Sequence, residues 1–264
     1  MQNIRQYRIT TEIGRGKGAV VFHGFDTRDK RDVALKICDE AYFPQERVAQ
    51  IKQESSVLSW LQVESVPAFY EAFREGTYHC LVMDYIHGQN LETFFKQLQQ
   101  PISEYEAIEW GIRVCDVLHA LHTHSTPHLY RYIKPENLML SEQGVLYLVD
   151  YGKVIPHYPT EAYPQTGTPG YAPPEQYVGQ PEPCSDIYSL GVLLYHAVTG
   201  HDPRLQNRAF LFHVKPPRKL NPLISQEFED IILRAVEHKA VDRYASAAAM
   251  RSALIRCRKP DLSL

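Results

Sequence analysis

The chain has 264 residues, 44% of them hydrophobic and 22% charged, enough to bury a full core as one large domain or two packed lobes and unlike either a disordered or a membrane protein. Its net charge of -3 comes without a long run of either sign, so composition offers no electrostatic argument for nucleic acid or anionic lipid as a partner. Five cysteines, odd in number, far apart and outside any metal-ligand spacing, fit a reducing compartment; with no charged N-terminal segment followed by an apolar run, the expected location is cytoplasmic.

Ile9 to Gly14, Ala19 to Phe25 and Asp32 to Cys38 alternate apolar and polar residues between Gly- and Asp-rich turns, which predicts three antiparallel strands. The first turn, Gly14-Arg15-Gly16-Lys17-Gly18-Ala19-Val20-Val21, carries glycines that let backbone N–H groups approach a phosphate. A hairpin turn uses glycine too, so this loop alone decides nothing. In Val33-Ala34-Leu35-Lys36 the lysine shares an alternating strand with Val33, Leu35 and Ile37. Its stem is then partly buried, and a partner carboxylate is expected. Val48, Ile51, Ser55, Leu58 and Leu61 recur at spacings of three and four and predict a helix. Ala68 to Arg74 and Thr77 to Asp84 read as a further hairpin around Glu75-Gly76, and Met83-Asp84-Tyr85-Ile86 lead out of it towards Gly88.

The remainder reads as mainly helical. Ser103-Glu104-Tyr105-Glu106 is a capping box, and Ile108, Ile112, Cys115, Leu118 and Leu121 form the buried face of the helix it opens. His119, His122, His124 and His128 crowd the end of that helix without a second ligand type, so a metal site there is not expected. Leu138 to Leu140 and Val145 to Val149, separated by Ser-Glu-Gln-Gly, predict a β-hairpin with Asn137 before its first strand and Asp150 after its second. Both are oxygen donors of the kind Mg²⁺ accepts, and a metal–phosphate site is the chemical reading. The longest uncharged apolar stretch, Ile187 to Gly200, is too short to span a bilayer and reads as a buried core helix.

In order and spacing, Tyr130-Arg131-Tyr132-Ile133-Lys134-Pro135-Glu136-Asn137 followed by Asp150-Tyr151-Gly152 resembles the catalytic loop and Asp-Phe-Gly motif of the protein-kinase family, in particular a bacterial serine/threonine branch with Tyr at the first position. The resemblance implies an α+β, two-lobed fold: a small antiparallel β-sheet lobe with one main helix over residues 1–83, a hinge at 84–88, and a larger, mostly helical lobe over 89–264. It implies ATP and Mg as cofactors, with Asn137 and Asp150 as metal ligands. The nucleotide residues it implies are Gly14, Gly16, Gly18, Val21, Ala34, Lys36, Glu54 as the partner of Lys36, and the hinge residues Met83, Asp84 and Tyr85. Downstream, Gly167 to Glu175 resembles the end of the family's activation segment. Asp186 resembles the residue that steadies the catalytic loop, and Arg243 the partner of Glu175. Two departures stand out: Ala19 occupies the third glycine position, and Tyr132 occupies the position of the catalytic Asp.

No Asp or Glu occurs between Asp116 and Glu136, so the missing carboxylate does not depend on the register of the match. In an active kinase that Asp accepts or orients the substrate hydroxyl, whereas a phenol is a poor proton acceptor at pH 7 and bulkier. Lys134 is retained. The resemblance therefore implies a pseudokinase that binds ATP with Mg and works as a regulatory or scaffolding protein by binding a protein partner, an active kinase or its substrate being candidates. The alternatives are a slow or divergent serine/threonine kinase or other nucleotidyl or phosphoryl transferase, and a nucleotide-free scaffold. Thr160, Thr166 and Thr168 are candidate phosphosites, and Arg131 is either a phosphate partner for them or a buried structural residue.

Overall fold

The structure is a computed structural model that describes residues 3–16, 18–158, 162–205 and 215–258. The chain divides into two compact units, residues 1–88 with 149–154, and residues 89–148 with 155–264.

The first unit is built on β1 (Asn3–Ile4), β2 (Tyr7–Arg15), β3 (Val20–Asp26), β4 (Arg31–Asp39), β5 (Phe69–Glu75) and β6 (Tyr78–Asp84), with α1 (Gln45–Trp60) between β4 and β5. These strands form one antiparallel sheet in the order β1-β2-β3-β4-β6-β5. The tight turn between β5 and β6 is possible because Gly76 takes a positive φ of 60°. Alternation along β4 decides which side chain goes where. Val33, Leu35 and Ile37 point to one face and pack with Ile4, Tyr7, Cys80 and Val82, while Cys38, of the opposite parity, packs with Ala19, Val48 and Ile51 under α1. Lys36 shares the parity of Cys38 and is therefore aimed at the helix side. The three expected strands, the β5–β6 hairpin and the helix marked by Val48, Ile51 and Leu58 are all present, with ends shifted by a few residues. Asp84 ends β6, where the hairpin reading of Thr77 to Asp84 puts the end of that strand: it pairs with Val33, and its amide donates to Ala68 O at 2.9 Å. The six residues 149–154 group with the first unit although they are distant from it in sequence.

The second unit begins with β7 (Gly88–Asn90), α2 (Leu91–Gln97) and α3 (Glu104–Thr123), the last opened by the expected capping box, in which Ser103 and Glu106 satisfy each other's backbone N–H. Then come β8 (His128–Leu129), β9 (Leu138–Ser141), β10 (Leu146–Leu148) and β11 (Ile155–Pro156); β9 and β10 form the predicted hairpin, β7 joins its β9 side, and β8 pairs with β11. After α4 (Pro174–Tyr177), α5 (Pro183–Thr199) runs through the core, followed by α6 (Pro217–Leu220), α7 (Gln226–Ala235) and α8 (Ala247–Cys257). Every residue of α5 from Ser185 to Val198 is buried, the polar Ser185, Asp186, Ser189 and His196 among them, and Gly200 ends the helix in a left-handed conformation at φ 68°. Close packing of α5 on α7 rests on Gly191, where a Cβ would lie 2.7 Å from that of Ala235. No helix among the described residues is long and apolar enough to cross a membrane.

One buried group on α5 makes the stability of this unit depend on acid. The His196 ring lies 4.6 Å from that of Phe95, its Nδ1 shares a 2.7 Å hydrogen bond with the Tyr171 hydroxyl, and burial pushes its pKa down to about 4. As pH falls, the unfolded chain takes up this proton before the folded one, so stability present above the ordinary value of about 6.5 is lost progressively from there down towards pH 4. We expect about 2 kcal/mol less stability at pH 5 than at pH 7 from this group, read from urea midpoints, and a smaller difference for His196→Gln. Equal pH dependence in both proteins would remove His196 as the cause.

Candidate functional site

In the first unit the expected nucleotide residues occupy neighbouring rungs of the ladder. Gly14 pairs with Val21 and Val21 with Lys36, while Ala34 pairs with Met83, so the five share one face of the sheet. Lys36 Nζ donates to Glu54 Oε2 at 2.6 Å and to Asp150 Oδ1 at 2.7 Å. Glu54, on α1, is 1% exposed, and its other oxygen accepts the Tyr151 amide at 3.3 Å. Burial favours loss of the Lys36 proton, but the two carboxylates outweigh it and hold the pKa above the ordinary lysine value, so the ammonium stays charged. Asp150 reaches this pair from a left-handed conformation at φ 65°, which a short polar side chain tolerates. Beside it, Gly152 lies so close to α1 that a Cβ would be 3.2 Å from Gln50 O and 3.4 Å from Glu54 Oε2.

The glycine turn is explained by packing at each end. The Gly16 amide donates to Ala19 O at 2.9 Å, and a Cβ on Gly18 would collide with the Arg47 side chain, 2.3 Å from its Cδ. Ala19, at the third glycine position, is 7% exposed and packs on Cys38, Val48 and Ile51, so its methyl is a core group. Lys17 lies outside the described residues. At the exit of the sheet, the Tyr85 ring packs at a tilt against that of His23, with centroids 4.3 Å apart. Asp84 Oδ2 accepts the Ala68 amide at 3.0 Å and Oδ1 accepts the Tyr70 hydroxyl. Arg47 and the Tyr151 amide carried no signal in the sequence, because each acts through proximity to a residue far along the chain.

In the second unit the loop before β9 is fixed from below. Asp186, fully buried on α5, accepts the amides of Tyr130 (2.9 Å) and Arg131 (2.6 Å), and its Oδ2 lies 2.9 Å from His122 Nε2. Gln176 Nε2 donates to Arg131 O at 3.0 Å, and Asn137 Nδ2 donates to Tyr132 O at 2.9 Å. These bonds hold Arg131 at φ 67°, a conformation a non-glycine residue adopts only when its surroundings over-determine it. The Arg131 side chain is buried, and its guanidinium lies 5.8 Å from the centre of the Tyr132 ring. Tyr132 Oη shares a 2.6 Å hydrogen bond with Thr166 Oγ1. Lys134 Nζ is 3.9 Å from Glu136 Oε1, and Glu136 continues to Arg204 at 3.1 Å. Farther along, Glu175 and Arg243 form the expected pair at 2.6 Å. No group of three or more His, Cys, Asp or Glu that could hold a metal exists among the described residues; His122 serves Asp186 instead. Thr160 lies outside the described residues.

A protein kinase domain model matches residues 7–255. The chain belongs to the protein kinase family. Its fold is the mixed α+β, two-lobed kinase fold, one lobe rich in β-sheet and the other mostly helical. It is 30% identical over 256 residues to a probable serine/threonine-protein kinase of Clostridium acetobutylicum, covering 92% of this chain and 38% of that protein. It is also 30% identical over 257 residues to serine/threonine-protein kinase PknL of Mycobacterium tuberculosis (93% and 64%), and 28% identical over 268 residues to serine/threonine-protein kinase Pkn1 of Myxococcus xanthus (94% and 38%). The chain thus spans less than two thirds of the length of each of these relatives.

Proposed function

We propose that this kinase-family domain is a pseudokinase: it binds ATP with Mg, transfers phosphoryl groups slowly or not at all, and works by holding a regulatory protein partner. One observation carries the reading. The loop around Tyr132 is fully folded on Asp186, yet the side chain at the base position is a phenol whose oxygen is hydrogen-bonded to Thr166. The defect is therefore confined to one side chain, while the charged Lys36 and its two carboxylates are intact.

The residues present fit both cofactors. A permanently charged lysine anchored by a buried glutamate suits a polyphosphate. Asp150 supplies a carboxylate oxygen; Asn137, its nitrogen committed to Tyr132 O at 2.9 Å, keeps its amide oxygen as a donor, and hard oxygens are what Mg²⁺ takes. When bound, the metal would neutralise phosphate charge. The partner proposed is a protein, an active kinase or its substrate, and the location proposed is the cytoplasm. The retention of Lys36, Glu54, Asp150 and Lys134 supports the second reading, a slow or divergent serine/threonine kinase or other nucleotidyl or phosphoryl transferase, as the relatives' names also do.

Thermal melting with ATP, with and without Mg²⁺, tests the binding. At ATP about 100-fold above Kd, linkage gives about 2.7 kcal/mol of stabilisation, a shift of several degrees. Lys36→Ala removes a charge-assisted contact and should weaken binding by about 10- to 100-fold. Asp150→Asn should make the shift insensitive to Mg²⁺. A melting temperature unmoved by millimolar Mg-ATP would discard nucleotide binding and leave the scaffold alone. Recovery of a partner from lysate that differs with ATP would support the binding role.

A further inference from the structure

We propose that Tyr132, besides lacking the chemistry of a base, is a latch: its hydroxyl pins the segment 162–171 to the catalytic loop through Thr166. The post side of the latch is rigid. Tyr132 sits between an Arg131 whose amide and carbonyl are both bonded (to Asp186 and Gln176) and its own carbonyl, which accepts from Asn137. Its ring is further held beside the Arg131 guanidinium at 5.8 Å. A side chain so mounted presents its oxygen at one place.

The segment side is anchored at both ends, Gly167 packs closely on Ala172 and Tyr177, and Tyr132 adds a side-chain hydrogen bond between the anchors. At one end the Tyr163 amide donates to Gly179 O at 2.9 Å and its hydroxyl to Pro156 O at 3.1 Å. At the other end the Tyr171 and Ala172 amides both donate to Thr168 O at 3.0 Å, and the Tyr171 hydroxyl meets His196 Nδ1 at 2.7 Å. Midway, Thr166 Oγ1 meets Tyr132 Oη at 2.6 Å, the short distance of a good hydroxyl pair. An aspartate at 132 would end a ring's length short of where the phenol oxygen stands. On the proposed reading, the residue that replaces the base thereby supplies reach, and the segment is tied to the loop. The latch rests on contacts within one unit and is independent of nucleotide binding.

The experiment is amide hydrogen exchange on the full chain, read at the Tyr163, Tyr171 and Ala172 amides, for wild type, Tyr132→Phe, Thr166→Val and the double variant. Each single change keeps the shape of its side chain and deletes one partner of the hydroxyl pair. Expected is about three- to tenfold faster exchange in either single variant, the worth of one hydrogen bond, with the double variant no faster than the singles. Exchange unchanged in both singles overturns the latch, and so does a double variant whose acceleration is the product of the two. If Tyr132→Phe fails to fold, Thr166→Val alone decides: acceleration confined to the segment supports the latch, and wild-type exchange overturns it.

Discussion

Arg243→Ala should cost the protein about 3–5 kcal/mol, the usual loss when one partner of a buried ion pair is removed, and lower its melting temperature by about 10 °C. Arg243 is 2% exposed and uses its fork fully: Nη1 and Nη2 donate to the two Glu175 oxygens at 2.6 and 3.1 Å. Nε, Nη1 and Nη2 further satisfy the carbonyls of Glu237, Cys184 and His238 at 2.7, 3.2 and 3.1 Å. Alanine leaves Glu175 the hydrogen bond from Ser185 Oγ at 2.7 Å and takes the guanidinium away from the carbonyls of Glu237, Cys184 and His238. Lysine should rescue little, because an ammonium lacks the planar fork. Replacing both partners by apolar residues, Glu175→Leu with Arg243→Met, should cost less than the two single changes together, since no charge is left behind. Calorimetry of the four proteins checks this, and an Arg243→Ala melting temperature within a degree or two of wild type would show that the pair is dispensable.

The elements that were legible in the sequence are those whose cause is local. Alternation at Val33, Leu35 and Ile37 placed β4, the spacing of Val48, Ile51 and Leu58 placed α1, the Ser103–Glu106 box placed the start of α3, and the apolar run after Ile187 placed α5. The need of a half-buried Lys36 for a carboxylate was also a local argument, and Glu54 meets it at 2.6 Å. What stayed hidden depends on chain segments meeting. Residues 149–154 join the first unit through Asp150 and the Tyr151 amide, which no periodicity announces. Ala19 looked like a departure in a phosphate loop and proves to be a methyl in the core beneath α1. The bond between Tyr132 and Thr166, two polar residues 34 positions apart, was equally hidden.

That bond changes what a restored base should do. Tyr132→Asp both returns a carboxylate to the catalytic loop and removes the hydroxyl that holds Thr166, so its effect on activity mixes the two. Wild type is expected to transfer little phosphate to a generic serine/threonine substrate, and Tyr132→Asp to raise the rate by up to about 10²- to 10⁴-fold, the usual contribution of a positioned base. Lys134 and Asn137, in the same unit as residue 132, are retained, Asn137 with its Nδ2 on the carbonyl of residue 132. Thr166→Val separates the contributions: it opens the latch without adding a base, so it should leave transfer at the wild-type level. A rise in Thr166→Val equal to that in Tyr132→Asp would make the obstruction, and not the missing carboxylate, the cause of inactivity. Turnover by wild type that is already robust and is abolished by Lys36→Ala would overturn the pseudokinase reading. The phenol would then stand in an enzyme whose proton leaves by another route, because phosphoryl transfer draws most of its rate from positioning and charge neutralisation.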